Sequence, residues 1–339
     1  MNNNVGLDIG TSTIKAVEMI SDKRSAAVVN NAYTLPTSSE AFQEDLIYDC
    51  GELSEQVAKV IKTGGFANNA INLAIKGSNV IVKRARIPFL TKQQLENDMR
   101  YIADQYMKVD IEEYAVDYAF LDVDVSTALA SVAFAAIRRS FLTDYISVLE
   151  SAQLKPSIIS AEAFALCDLY SHLKLPTDQV SLIAHIGEAT SLLIFLNKGI
   201  FSYQESSQSA GGYCTGLIKS LANIPADKAE LVKISPDAFP EGDAVKKIIS
   251  ENYIPDCIGA IEQTISNYRM LCYAPPTHIY LSGGGATIFG LESALQEQLE
   301  VGVSVMDPSS GVEIRSSAAK QIMDLKPAVL NVAIGMALR

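Results

Sequence analysis

Apolar residues alternate with small or polar residues at the start of the chain, and this pattern predicts two strands joined by a tight turn. Val5, Leu7 and Ile9 would share the buried face of the first strand, and residues 13–20 begin the second. Between them, Gly10 is followed by two small hydroxyl residues. A glycine at the tip of a hairpin lets backbone N–H groups approach an anion closely. The pattern indicates either a phosphate-binding hairpin or an ordinary β-hairpin with a glycine turn.

The polar residues around this turn narrow the chemistry. The hydroxyls of Thr11, Ser12 and Thr13 add hydrogen-bond donors, and Lys15 adds a positive charge. Asp8 would repel a bare phosphate, but a carboxylate is favourable there when a hard cation lies between the two, usually through water. We therefore interpret the hairpin as the phosphate site of a magnesium nucleotide, with Asp8 acting on Mg²⁺ indirectly. The alternatives are a carboxylate that caps the turn and a solvated lysine.

A second stretch, residues 180–196 with the sequence VSLIAHIGEATSLLIFL, repeats this pattern. The matched positions are Ile186-Gly187 with Ile9-Gly10 and Thr190 with Thr13. Two phosphate hairpins in one chain predict two related halves that face a shared cleft, because an internal similarity carries more information than a single motif.

A third glycine-containing stretch lies late in the chain. Residues 279–290, IYLSGGGATIFG, predict a strand that ends in Gly283, Gly284 and Gly285. The DIGTS hairpin, the second IGxxT hairpin and this strand, in this order, resemble the actin-like ATPase superfamily. The resemblance implies an α/β fold with two related domains around a nucleotide cleft, and ATP and Mg²⁺ as cofactors. It also implies that the glycine backbone lies against the nucleotide and that the following helix directs its N-terminus at phosphate.

Residues 229–233, AELVK, resemble the A-E-x-x-K helix that contacts the nucleoside in bacterial actin-like proteins. The resemblance implies nucleoside contacts for Glu230 and Lys233. Because the two are three residues apart on one helix face, an ion pair at the surface is the alternative. The predicted nucleotide-binding residues are then Asp8, Gly10, Thr11, Ser12, Thr13, Lys15, Gly187, Thr190, Glu230, Lys233, Gly283, Gly284 and Gly285.

The remaining hydrophobic pattern predicts further strands and helices along the chain. The predicted strands are 26–32, Ala70–Ile75, Val80–Pro88, 114–125, 128–137, Lys155–Ala161 and 199–204. The predicted helices are 52–62, one from an N-cap at Thr91 to about 107, one from an N-cap at Ser140 to about 152, Glu162–His172, one opened by residues 209–212, 243–273 and 328–338.

Residues 79–152 combine strand, helix, strand, strand and helix in a compact unit inserted into the first domain. Its placement resembles that in the cell-division protein FtsA and in its relatives of the PilM family, cytoplasmic components of type IV pilus assembly. Gly211-Gly212 followed by Thr215 also resembles PilM-like proteins. The predicted boundaries are 1–78, 153–178 and 328–339 for the first domain core, 79–152 for the inserted subdomain, 179–210 and 274–327 for the second domain core, and 211–273 for a helical subdomain on the nucleoside side.

PilM-like proteins hold a short cytoplasmic peptide of a membrane partner in the groove between the first subdomain and the inserted one. This resemblance implies, as partner, the N-terminal cytoplasmic peptide of an inner-membrane pilus protein resembling PilN, and it leaves self-association open. Strand Val80–Pro88 carries Lys83, Arg84 and Arg86 in an otherwise acidic chain. We interpret them either as an interaction surface or as the charges that protect a solvated edge strand.

Composition limits the partners and the compartment. The net charge of −12 at pH 7 disfavours nucleic acid and a bare anionic membrane surface as partners. The five cysteines are scattered and form no C-x-x-C pair, which argues against zinc, iron–sulfur clusters and a disulfide framework. No signal-peptide pattern opens the chain, and no apolar run is long enough to cross a bilayer. We predict a cytoplasmic protein, without direct membrane insertion, that is peripheral to the inner membrane through its partner.

One position departs from the hydrolytic members of the superfamily. Their second hairpin has the pattern D-x-G, whereas this chain has His185 at the position of the aspartate. Imidazole is a poor ligand for Mg²⁺, so His185 would contact phosphate as a cation or, as we favour, pack at the strand end. Glu162 is the remaining catalytic candidate, because relatives hold a water-orienting residue there. A first-turn carboxylate that faces the positive end of the helix dipole is its alternative.

These features favour an assembly protein that binds ATP, changes conformation with it and hydrolyses it weakly at most. The alternative is a small-molecule kinase or an active ATPase of the same superfamily. A kinase needs a carboxylate base near the transferred phosphate, and His185 occupies the natural position for it. The cysteine pattern disfavours an activator ATPase with an iron–sulfur cluster. The absence of an amphipathic tail after the last predicted helix disfavours a filament former like FtsA.

Overall fold

The computed structural model describes residues 2–21, 27–43, 45–88, 90–124, 126–272, 274–315 and 327–339. The strands are β1 (Asn2–Ile9), β2 (Thr13–Ser21), β3 (Val28–Pro36), β4 (Phe42–Gln43), β5 (Leu46–Ile47), β6 (Ala70–Ile75), β7 (Val80–Pro88), β8 (Tyr114–Asp124), β9 (Leu129–Arg138), β10 (Lys155–Ala161), β11 (Val180–Ile186), β12 (Ser191–Asn197), β13 (Ile200–Ser207), β14 (His278–Ser282), β15 (Gly302–Val305) and β16 (Glu313–Ile314). The helices are α1 (Cys50–Gly64), α2 (Lys92–Ile102), α3 (Arg139–Ser151), α4 (Glu162–His172), α5 (Gly211–Leu221), α6 (Ala226–Ile234), α7 (Gly242–Ile248), α8 (Ile254–Cys272), α9 (Leu291–Leu299) and α10 (Asn331–Ala337).

Two large sheets share a topology of five strands, to which the first sheet adds β16 beside β3. The first has the order β10-β6-β1-β2-β3-β16, and the second has the order β13-β12-β11-β14-β15. In each, three antiparallel strands that follow one another in the chain are extended by two parallel strands beside the first of the three. Strands β11, β12, β13, β14 and β15 thus correspond to β1, β2, β3, β6 and β10. The similarity that the sequence shows at two hairpins extends to both sheets.

The C-terminal helix α10 closes the first half of the molecule by packing between β1 and α4. Two glycines allow this approach, because a Cβ atom at Gly6 would overlap the backbone of α10 and one at Gly335 would overlap the backbone of α4. The buried Asn72 of β6 donates a hydrogen bond to the Met336 carbonyl at 3.1 Å. A buried apolar side chain contributes about 1.5–3 kcal/mol, and Val332 and Ile334 of this helix are fully buried.

The inserted unit forms a separate sheet with the order β7-β9-β8. One face of this sheet is covered by α2 and a π turn over Ala103–Met107, around a core that includes Leu95 and Phe134. The predicted order of strand, helix, strand, strand and helix is confirmed. Thr91 and Gln94 exchange hydrogen bonds at the start of α2, as a capping box does. The boundaries proposed for the domains stay predictions.

Some sequence-based element predictions are wrong in detail. Ser140 does not cap α3, because β9 leads directly into the helix and the N-cap position is Arg138, without a side-chain cap. The helix predicted over 243–273 is interrupted by a π turn at Ile249–Tyr253, next to Pro255, whose ring nitrogen donates no hydrogen bond. Residue 273 and residues 26 and 125, at the ends of two predicted strands, lie outside the described residues.

The third strand runs on to Pro36, beyond its predicted end. The C-terminal helix begins as a 3₁₀ turn over Pro327–Leu330. A 3₁₀ turn over Gly284–Thr287, which includes two of the three glycines, precedes α9, so no α-helix follows the glycines directly.

Candidate functional site

The turns of the two hairpins have the same backbone geometry. Gly10 donates its N–H to the Thr13 carbonyl at 3.1 Å, and Gly187 donates to the Thr190 carbonyl at 3.1 Å. A Cβ atom would lie 2.7 Å from the Thr13 oxygen at Gly10 and 2.8 Å from the Thr190 oxygen at Gly187, closer than real Cβ contacts. Both turns therefore require glycine, and residues of both turns line one cavity between the two halves.

Asp8 lies at the end of β1 beside two lysines. Lys15, its partner across the hairpin, places Nζ 2.8 Å from Oδ2, and Lys76 places Nζ 3.8 Å from Oδ1. Burial works to raise the pKa of Asp8, but the two ammonium groups outweigh burial and lower that pKa to about 2. Asp8 is therefore ionised at neutral pH. Lys15 is mostly buried and also donates to the Thr13 carbonyl at 3.2 Å, so it is not a solvated strand charge.

Lys76 is a site residue that the sequence did not reveal. It follows β6, and the parallel register of β6 with β1 places its strand end beside Asp8. In the sequence, a lysine between Ile75 and Gly77 has the pattern of a solvated loop residue. The following glycine was the only local signal of a constrained turn.

Glu162 and His185 face each other across the cleft, with Oε2 and Nε2 4.0 Å apart. Burial, against the effect of Lys76, raises the pKa of the Glu162 carboxyl to about 7. Burial and then the charge of Lys76 lower the pKa of His185 to about 3, so its imidazole is neutral at physiological pH. Nδ1 of His185 lies 3.1 Å from the hydroxyl of Ser282. A neutral, hydrogen-bonded imidazole fits the packing interpretation better than a cationic phosphate contact.

The start of α5 is hydrogen-bonded to the turn of the second hairpin. The N–H groups of Gly211 and Gly212 donate to the carbonyls of Gly187 and Glu188, each at 2.8 Å. A Cβ atom at Gly212 would lie 2.8 Å from the Glu188 carbonyl oxygen and 2.7 Å from its carboxylate. The glycine pair therefore allows the helix to begin against the turn of the second hairpin.

Lys233 holds the same region together from α6. Its buried ammonium donates to the Gly211 carbonyl at 3.1 Å, to Thr215 Oγ1 at 2.8 Å and to Glu230 Oε1 at 2.7 Å. The pair of Glu230 and Lys233 is therefore not an ion pair at the surface, although the Glu230 side chain is 42% exposed. The Lys233 carbonyl accepts the N–H of Phe289 at 3.1 Å, which joins α6 to the glycine turn.

The three glycines after β14 differ in their surroundings. Gly283 has a φ angle of +80°, and a Cβ atom there would lie 2.5 Å from the Ile186 carbonyl oxygen. A Cβ atom at Gly285 would overlap the Ile186 side chain, whereas one at Gly284 would meet open space. Two of the glycines thus serve packing against β11, and Gly284 is the exposed one.

A cleft of about 570 Å³ lies where the two halves meet, within the usual range for ligand pockets. Lys76 and Glu162 line it from the first half and Thr190 from the second. Glu162 Oε2 is buried without a hydrogen-bond partner among the described residues. Residues of both glycine turns and the ammonium group of Lys76 line the adjoining smaller cavity, and this lining fits a phosphate-bearing ligand. Within the part of the chain that the structure describes, no three His, Cys, Asp or Glu side chains group to hold a metal.

A separate groove of about 610 Å³ lies between the inserted sheet and the first half. Its walls are the strands β8 and β10, and each is an edge strand of its sheet. Ala133 and Ile137 of β9, Ile158 of β10, and Phe164 of α4 make the lining largely apolar, and Arg339 and Asp168 pair at one side. An edge strand presents unpaired backbone N–H and C=O groups to a partner.

The basic residues of β7 line a different cleft, of about 900 Å³, between β7 and β13. Arg84 donates to the Ser131 hydroxyl at 3.0 Å and to the Phe201 carbonyl at 3.5 Å, so it bridges the inserted sheet to the second large sheet. Lys83 donates to the Met107 carbonyl at 3.4 Å.

Among the residues for which coordinates are described, no helix has both the length and the apolar character to span a membrane.

Comparison with solved structures shows an actin-like fold. The chain matches a structure of a PilM–PilN type IV pilus biogenesis complex with a TM-score of 0.86 and 22% identity, covering 99% of this chain and 98% of the other. It matches the ethanolamine utilization protein EutJ from Carboxydothermus hydrogenoformans with a TM-score of 0.58 and 15% identity over 100% and 90% of the two chains.

A third match is MreB 5 of Spiroplasma citri bound to AMPPNP, with a TM-score of 0.53 and 12% identity over 99% and 95% of the two chains. The predicted α/β fold of the actin-like ATPases, with two sheet-containing domains, is confirmed. Residues 6–339 match the family described as type IV pilus assembly protein PilM. The chain belongs to the PilM family of type IV pilus assembly proteins.

Proposed function

We propose that this protein is an ATP-binding assembly protein that binds the N-terminal cytoplasmic peptide of an inner-membrane pilus protein resembling PilN. It works in the cytoplasm and is held at the inner membrane through that partner. ATP acts as a ligand that sets its conformation, and hydrolysis is slow. One observation carries the nucleotide part of this proposal: residues of two glycine turns of equal geometry line one cavity, with Asp8, Lys15 and Lys76 beside the first turn.

In this proposal, different residues bind different parts of the nucleotide. The two turns that Gly10 and Gly187 shape, with the hydroxyls of the first turn, bind phosphate. Asp8 orients Mg²⁺ through water, which suits an ion that retains much of its hydration shell. When bound, the metal neutralises phosphate charge. The nucleoside lies between α6, where Glu230 remains partly exposed, and the exposed Gly284.

Slow hydrolysis follows from the second hairpin. Attack on a terminal phosphate requires a positioned metal, a positioned water and stabilised charge. The first hairpin supplies an ionised carboxylate, whereas the matched position of the second holds the neutral His185. A protein that binds ATP without using it rapidly can still change conformation, provided that ATP binds one conformation more tightly.

The peptide binds in the groove between β8 and β10. An extended segment can pair with the exposed edge of either strand, and its apolar side chains can enter the lining. The match to a complex that contains PilN supports a partner of that kind.

One observation favours the alternative of an active ATPase or small-molecule kinase. The pKa of Glu162 is raised to about 7 by burial, and a carboxyl with this pKa, beside the phosphate turns, suits a general base at neutral pH. Phosphate release from purified protein, measured with the partner peptide present, decides between the two. Rapid turnover would show that the protein is an active ATPase or a kinase.

Gly284→Val tests the nucleotide site. A valine side chain would project into open space in the folded protein and into the path of the ligand, so we expect ATP binding to be lost while the melting temperature is retained. Gly259→Val on α8 is the matched control, because a Cβ atom there also meets open space but far along the chain from the glycine turn. Calorimetry measures both. Unchanged ATP affinity in the folded Gly284→Val protein would remove the nucleoside site from this loop.

A further inference from the structure

We infer that Lys76 recognises the terminal phosphate of the bound nucleotide and transmits its presence to the inserted subdomain. This inference rests on the proposed nucleotide site. Lys76 then accounts for the difference in binding between ATP and ADP. Its connection to the inserted subdomain carries that difference to the peptide groove.

The position of Lys76 supports the first half of the inference. Its Nζ lies 3.6 Å from the position of a Cβ atom on Gly10, so its charge is at the first phosphate turn. Its side chain lines the 570 Å³ cleft. It also lines a smaller cavity beside the two turns, and Glu162 and His185 line that smaller cavity as well.

The two lysines beside Asp8 are held differently. Lys15 makes a 2.8 Å contact with Asp8 and a second hydrogen bond to the Thr13 carbonyl. Among the described residues, the Lys76 ammonium has its Asp8 contact at 3.8 Å and no hydrogen bond. An ammonium that is close to charge but not hydrogen-bonded is free to form a shorter, charge-assisted bond with a phosphate oxygen. Lys76 is therefore the lysine that a new anion would recruit.

The connection of Lys76 to the inserted sheet supports the second half. Three residues, Gly77, Ser78 and Asn79, separate it from β7. The Ser78 N–H donates to Asp45 Oδ2 at 2.7 Å, and the Val80 N–H donates to the Gly77 carbonyl at 3.1 Å. Asn79 accepts the N–H of Arg138 at the end of β9 at 3.1 Å. Because this turn is short and is held by these hydrogen bonds, a displacement of Lys76 moves the ends of both β7 and β9.

Those two strands connect to the groove. β9 pairs with both β7 and β8, and Ala133, Ala135 and Ile137 of β9 lie on the groove wall. A nucleotide with a terminal phosphate therefore acts on one end of the sheet whose face lines the proposed peptide site. Because coupling between two ligands is reciprocal, a bound peptide would in turn favour ATP over ADP.

The test compares Lys76→Met with Lys15→Met in calorimetry with Mg²⁺ and either AMPPNP or ADP. We expect Lys76→Met to weaken AMPPNP binding by about tenfold or more, the usual effect of losing a charged hydrogen bond, and ADP binding by less than about threefold. Lys15→Met, which removes a group bonded within the turn itself, should weaken both nucleotides together. Lys76→Gln, which keeps a donor beside Asp8, serves if the methionine variant does not fold.

Hydrogen exchange supplies a readout that needs no partner peptide. In the wild-type protein, AMPPNP should slow exchange in β7 and β9 more than ADP does, and this difference should vanish in the Lys76 variants. Equal weakening of both nucleotides by Lys76→Met, unchanged discrimination, or an exchange difference that persists would each overturn the inference. If the wild-type protein binds neither nucleotide, it is the proposed function that fails.

Discussion

The two hairpins with glycine turns share one backbone geometry but differ in the side chains beside the turn. Asp8 and His185 occupy matched positions two residues before the turn glycine, and their cross-strand partners are Lys15 and Leu192. The first hairpin therefore carries an ionised carboxylate with ammonium groups beside it, and the second carries a neutral imidazole paired with an apolar residue. The comparison shows that both halves have the same turn geometry, whereas an ionised carboxylate stands before the turn in the first half and a neutral imidazole in the second.

Removing the charge of the first hairpin should have the largest effect. Asp8→Ala leaves the ammonium groups of Lys15 and Lys76 without their counter-charge, and breaking a buried pair in this way costs about 3–5 kcal/mol of stability. Because Asp8 orients Mg²⁺ in the proposed site, we expect the variant to lose affinity for MgATP more than for metal-free ATP. Urea denaturation and calorimetry measure the two effects. Equal loss for both forms of ATP would show that Asp8 is structural.

The second prediction concerns the pH dependence of stability. The pKa of Glu162 is raised from 4.5 to about 7, so its contribution is complete below pH 4.5 and is lost as the pH rises through 7. The pKa of His185 is lowered from 6.5 to about 3, so its contribution is complete above pH 6.5 and is lost as the pH falls through 3. Between pH 4.5 and 6.5, a rise in pH lowers the contribution of Glu162 to stability and raises the contribution of His185.

Single substitutions should therefore separate the pH dependence of stability that Glu162 causes from the one that His185 causes. In Glu162→Gln, stability relative to wild type should rise with pH between 4.5 and 6.5, by at most about 1.4 kcal/mol per pH unit. In His185→Asn, it should fall over the same interval. Urea denaturation at several pH values measures both profiles. Parallel profiles for wild type and both variants would mean that neither group has the shifted pKa.

The smallest expected change restores the missing carboxylate. His185→Asp gives the second hairpin the residue found in hydrolytic relatives, and we expect phosphate release to rise by about tenfold, equivalent to about 1.4 kcal/mol of barrier. His185→Asn is the control of similar size without charge. A wild-type rate already typical of active ATPases would contradict the interpretation that the second hairpin limits hydrolysis.

Much of the site was predictable because it depends on local pattern. Alternating apolar residues around Gly10 and Gly187 predicted both hairpins, and the structure contains both with one turn geometry. Capping by Thr91 and the end of α1 at Gly65, with a φ angle of +68°, were also encoded locally. Ser140 was misassigned because a cap depends on where the preceding strand stops, and the pairing of β9 with β7 and β8 decides that.

The sequence by itself determined the duplicated hairpins, the glycines that their turns require and the order of elements in the inserted unit, because each follows from neighbours along the chain. Only the tertiary structure decided that Lys76 stands beside Asp8, that Lys233 is buried beneath α5 and that His185 is neutral. The register between β6 and β1 and the packing of α6 against α5 join residues far apart in sequence. A pKa is set by burial and by charges across the cleft, and neither exists until the two halves have come together.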